Sequence, residues 1–73
     1  MNEGSIDQDV LNTEIRKFLK KVGITSQQEI ERAIAEAVEA GRLAGLDRVR
    51  AQVKLEVPAL GIDHLIEQDL LLR

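Results

Sequence analysis

The sequence predicts an α+β fold: two antiparallel helices followed by a β-hairpin (ααββ), with the helices packed on one face of the hairpin. Three observations carry this. Apolar residues recur at helical spacing over residues 7–22 and again over 26–41. A short segment containing Gly23 separates the two stretches. The period then changes to strict alternation over residues 49–57, closed by Pro58 and Gly61.

Residues 1–5 read as a flexible tail. Ser5 or Asp7 is placed to cap the first helix, and Ser5-x-x-Gln8 fits a capping box. Leu11, Ile15, Phe18 and Val22 then fall at alternating steps of four and three, with Val10 and Leu19 widening the stripe. Gly23 lies just past the last periodic residue, where a left-handed cap ends many helices. Arg16, Lys17, Lys20 and Lys21 crowd the C-terminal half of this first helix, where cations suit the helix dipole. Ser26-x-x-Glu29 forms a second capping box, with Thr25-x-x-Gln28 as an alternative one residue earlier. Ile30, Ala33, Ile34, Ala37 and Val38 make a narrower, Ala-rich stripe that would let the first helix approach closely, with Phe18 as the bulky counterpart. Gly41 is the expected stop. The short Val22–Thr25 connection makes the two helices antiparallel neighbours.

Residues 41–48 read as a loop with two glycines. Val49, Ala51, Val53, Leu55 and Val57 alternate with Arg50, Gln52, Lys54 and Glu56, the signature of a half-buried strand. Pro58 suits the second position of a tight turn, and Gly61 supports the reversal. Residues 62–72 fit either a strand or a helix. The strand is preferred, because the preceding strand needs a partner and a short turn supplies one. Pairing Val57 with Ile62 sets Arg50 opposite Asp69 and His64 opposite Leu55, and leaves Glu56 facing Asp63. The expected core is Val10, Leu11, Ile15, Phe18, Leu19, Val22, Ile30, Ile34, Ala37, Val38, Val53, Leu55, Val57, Ile62 and Ile66. All 73 residues are expected to form a single small domain.

A chain of this length buries only about 60% of the surface its unfolded form exposes, so an extra source of stability is expected. It has no Cys and one His, which excludes disulfides and thiolate zinc sites. Helix packing or self-association remains. Apolar residues at 44% and charged residues at 32% are a globular balance. The net charge of −3 gives no general attraction to nucleic acid or anionic membrane, and Phe18 is the one aromatic side chain, too few for a base-stacking platform. The N-terminus lacks a secretory pattern and no apolar run approaches the ~20 residues of a membrane span, so a cytoplasmic location is expected.

Catalytic chemistry finds little footing. Asp63, His64 and Glu67 could cooperate on a helix but point to opposite faces of a strand. No second His, no Cys and no triad completes a site, and Gly41, Gly45 and Gly61 do not make a phosphate loop. The expectation is a protein without enzymatic activity, cofactor or metal. Arg16, Lys17, Lys20 and Lys21, joined by Arg42, Arg48, Arg50 and Lys54, could hold the phosphates of a nucleic acid or nucleotide. The element order also resembles a truncated winged helix. Against this, the second helix carries Glu29, Glu31, Glu36 and Glu39 with Arg32 alone, and the simpler reading of the lysines is a solvated helix face.

The run Ile15-Arg16-Lys17-Phe18-Leu19-Lys20-Lys21-Val22-Gly23-Ile24-Thr25-Ser26-Gln27, continuing to Glu29-Ile30-Glu31, resembles a family of short bacterial proteins known only as a domain of unknown function. Val53-Lys54-Leu55-Glu56-Val57 through Leu60-Gly61-Ile62 is similar to the same family. The resemblance covers the chain from about residue 12 onward. It implies a stand-alone bacterial protein and brings no activity, cofactor or site residues.

The leading functional expectation is a small protein-interaction or structural module, homodimeric through its C-terminal hairpin. An isolated two-stranded hairpin is marginal in water and has two open edges, and Leu65, Leu70, Leu71 and Leu72 add apolar surface there. Pairing two hairpins across a two-fold axis would make a four-stranded sheet. The competing reading is a monomer with scattered exposed leucines and charged edges. The alternative function is nucleic-acid or phosphate binding by the basic group on the first helix; an unidentified protein partner is also open, and a membrane is not expected.

Overall fold

A computed structural model describes residues 4–73. Its elements are α1 (Gln8–Glu39), β1 (Arg48–Val57), a 3-10 turn (Pro58–Leu60) and β2 (Ile62–Leu71). The chain divides after Arg42 into a helical unit and, from Leu43, a hairpin unit. Of the tail expected at residues 1–5, residues 1–3 lie outside the described residues.

The two expected helices, 7–22 and 26–41, are one continuous helix of 32 residues. The expected antiparallel helix pair falls with this correction. The reason is energetic. A break at residue 23 would leave the N–H and C=O groups of two new helix ends to be satisfied. A glycine inside a helix costs only about 1 kcal/mol relative to alanine. Gly23 does not adopt a positive φ, so it is not a left-handed cap. Thr25 does not cap a new helix either. Its hydroxyl donates to the Lys21 carbonyl at 2.8 Å, the back-bond a threonine makes inside a helix. Glu29, read as the far side of a capping box, instead pairs with Arg32 at 2.9 Å.

The real ends of α1 are chemically distinct. Asp7, rather than Ser5, is the N-cap: its carboxylate accepts from the Asp9 and Val10 N–H groups at 2.9 and 3.2 Å. At the other end the Gly41 N–H donates to the Val38 carbonyl at 3.1 Å and the Arg42 N–H to the Ala37 carbonyl at 2.9 Å. Those two bonds, with Gly41 at φ 73°, make a Schellman turn. Asp7→Ala should therefore cost about 1 kcal/mol of helix stability and fray the first turn. Far-UV circular dichroism during thermal melting checks this.

The hairpin follows from local chemistry. Pro58 opens a 3-10 turn, and Gly61 closes it at φ 69°, donating to the Pro58 carbonyl at 3.1 Å. That turn places Val57 opposite Ile62 and carries the register out to Arg48 opposite Leu71. A strand, not a helix, therefore runs through residues 62–71. One face carries Val49, Ala51, Val53, Leu55 and Val57 with Ile62, His64, Ile66, Gln68 and Leu70. The other carries Arg48, Arg50, Gln52, Lys54 and Glu56 with Asp63, Leu65, Glu67, Asp69 and Leu71.

The expected core is the second correction. Among the described residues Ala37 is the one buried hydrophobic side chain. Val22, Ile34, Leu55 and Val57 are half-buried, and the other ten expected core residues are exposed. The core expectation assumed a second helix facing the first. A single helix has no interior, and neither does a two-stranded hairpin.

Candidate interaction surface

Continuity changes what the apolar residues of α1 do. At 3.6 residues per turn, Leu11, Ile15, Phe18, Val22, Ser26, Ile30, Ala33 and Ala37 stay within one stripe, with Leu19 and Ile34 beside it. The stripe is mostly open to solvent: Ile15 is 46%, Phe18 50% and Leu19 53% exposed. Arg16, Lys17, Lys20 and Lys21 lie toward the opposite side, all exposed. They sit in the middle of α1, whose last turn holds no basic residue, so the expected dipole role is corrected. Lys17 is paired with Glu14 at 3.3 Å.

Farther along α1, Arg32 bridges Glu29 and Glu36, each at 2.9 Å. The hydrogen bond from Arg32 holds the Glu29 carboxyl below its ordinary value, and the bonds to Glu29 and then Glu36 push the guanidinium up. A carboxyl with a lowered folded value stabilises the helix above the ordinary carboxylate range and loses that contribution as pH falls through the lowered value. Acidification should therefore reduce helicity slightly, the groups being at the surface. The acid-dependent change should be smaller in Arg32→Gln, as read by circular dichroism across a pH titration.

On the hairpin, the cations proposed to join the basic group are already engaged. Arg50 bonds Glu67 and also Asp69, the latter at 3.2 Å; Arg48 reaches Asp69 at 3.7 Å and Lys54 reaches Asp63 at 3.5 Å. The bond to Glu67, followed by that to Asp69, raises the Arg50 guanidinium. These residues form a self-neutralising cross-strand lattice. His64 stands opposite Leu55 on the apolar face, while Asp63 and Glu67 stand on the other. No set of three metal-ligating side chains gathers among the described residues. A shallow hollow beside Asp9, Val10, Thr13 and Glu14 lies on an open helix surface and encloses nothing.

The four leucines do not make one patch. Leu65 and Leu71 are 47% and 72% exposed, opposite Lys54 and Arg48, with Glu67 and Asp69 on the strand between them. Leu70 is half-buried on the other face beside Val49, and Leu72 is half-buried with its N–H donating to the Asp47 carbonyl at 2.8 Å. Ser26, expected to cap a second helix, instead lies inside α1 on the stripe. Its signal was the spacing: Val22, Ser26 and Ile30 lie four apart, which keeps one stripe in phase through the supposed break.

The architecture is thus a long amphipathic helix and an ion-paired hairpin, with no helix long and apolar enough to cross a membrane among the described residues. The chain belongs to a family of unknown function, DUF6494, whose family model matches residues 1–73. No curated protein and no solved structure matches it.

Proposed function

We propose that the protein is a non-catalytic interaction module that acts as a self-associated assembly, with the apolar stripe of α1 as its contact surface. The observation that supports this is Phe18. It is the chain's one aromatic side chain, and it stands 50% exposed in the N-terminal half of the stripe, next to the equally open Ile15 and Leu19. Scattered exposed leucines need no explanation, but a contiguous apolar strip on one helix face marks a surface that meets a partner. The stripe is a stronger candidate than the hairpin leucines, which are split between two faces and interrupted by carboxylates. Nucleic-acid binding has less support, because the hairpin cations are tied to their own carboxylates.

Association that accompanies folding makes the melting temperature depend on protein concentration. The expected result is a melting temperature that rises steadily over about a hundredfold increase in concentration. A melting temperature independent of concentration, with the chain folded throughout, would count against the proposal.

A further inference from the structure

We infer that α1 pairs with α1 of a second copy, antiparallel, about a two-fold axis beside Ser26. This rests on the self-association reading above and adds the partner segment, its direction and its register.

The first support is the placement of large and small residues. Phe18, Leu19 and Val22 precede Ser26 by eight, seven and four residues, and Ile34, Ala33 and Ile30 follow it at the same distances. A two-fold axis at Ser26 therefore lays Phe18 level with the partner's Ile34, Leu19 level with the partner's Ala33, and Val22 level with the partner's Ile30. Ile15 ends level with the partner's Ala37, which is already buried at the helix end. The bulky half of each stripe thus meets the smaller half of the other. Ser26, half-buried and small, sits where the two backbones come closest. A parallel pair would instead set Phe18 against the partner's Phe18 and Ala33 against the partner's Ala33, wide at one end and empty at the other.

The second support is charge. Residues 8–22 of α1 carry four cations against two carboxylates, and residues 23–39 carry one cation against four carboxylates. Antiparallel pairing runs the basic half of each helix along the acidic half of the other. Parallel pairing would stack like on like along the whole length, a cost that sets orientation. The two helix dipoles also oppose each other only in the antiparallel arrangement. Such a surface is isologous, so it closes on itself as a dimer.

The chain has no Cys, so single cysteines report the register directly. The full chain is made as Ser26→Cys and as Ala33→Cys and oxidised; the cross-link is read on a denaturing gel with and without reductant, and the native mass by light scattering. In the inferred register the two copies of position 26 lie side by side, while the two copies of position 33 are about 21 Å apart along the axis. A disulfide spans Cα atoms no more than about 7 Å apart. The expected result is a cross-linked dimer from Ser26→Cys and none from Ala33→Cys. Cross-linking of both would mean a parallel pair and would overturn the inference. No cross-link from either, with the mass still near twice 8.1 kDa, would place the interface elsewhere and overturn the inference while leaving self-association standing. A mass near 8.1 kDa throughout would overturn both.

Discussion

Phe18→Ala should weaken self-association about 30-fold or more, measured as the dissociation constant from sedimentation equilibrium. The side chain is the largest on the stripe and lies level with the partner's Ile34 in the proposed contact, and truncation of an aromatic interface residue typically costs about 2 kcal/mol or more. The exposed position of Phe18 gives it little to lose within its own helix, so helicity of the separated chain should change little. The double variant Leu65→Lys with Leu71→Lys is the comparison. Those side chains are isolated among charges on the hairpin, and their replacement should leave the dissociation constant nearly unchanged. The reverse pattern, with Phe18→Ala neutral and the leucine variant dissociated, would move the contact surface from α1 to the hairpin.

Gly23→Ala and Gly41→Ala should have effects of opposite sign. An added Cβ meets no atom within 4 Å at either position, so the backbone alone decides. Gly23 lies inside α1, where alanine is the better helix former by about 1 kcal/mol. Gly41 has φ 73° at the Schellman turn, where a Cβ costs about 1–2 kcal/mol. For a domain of this size each kcal/mol moves the melting temperature by about 4–8 °C. Alanine at 23 should raise the melting temperature and alanine at 41 should lower it by a comparable or larger amount. A fall with Gly23→Ala would mean that the chain turns at residue 23 and that α1 is two helices.

The hairpin was legible in the sequence because its determinants are local. Alternation from Val49 to Val57 identifies a strand, Pro58 and Gly61 fix the turn, and the turn fixes the register, so that Arg50 faces Asp69. The helix was legible in its faces and not in its length. Gly23 followed by Thr25 and Ser26 has the composition of a helix end and a new cap. The same residues are tolerated inside a helix when the apolar stripe stays in phase and the threonine hydroxyl finds a carbonyl four residues back. That single misplacement propagated. Two helices would bury Ile15, Phe18, Leu19 and Ile30 against each other, which is why the sequence points to them as core. With one helix they become surface. The basic group suffered similarly, since Lys20 and Lys21 approach a helix C-terminus only if the helix stops at residue 22. The candidate leucines were visible as apolar residues near one end of the chain, but strand parity separates Leu65 and Leu71 from Leu70.

The solution mass tests the self-association claim most directly. Light scattering after size exclusion, over a dilution series, gives it without assumptions about shape. Concentration must be read by refractive index, because the chain has no Trp or Tyr. A self-associated chain has a mass near twice 8.1 kDa, falling toward the monomer only at high dilution, and at far higher concentrations in Phe18→Ala than in the unsubstituted chain. A folded chain of 8.1 kDa at every concentration would contradict self-association.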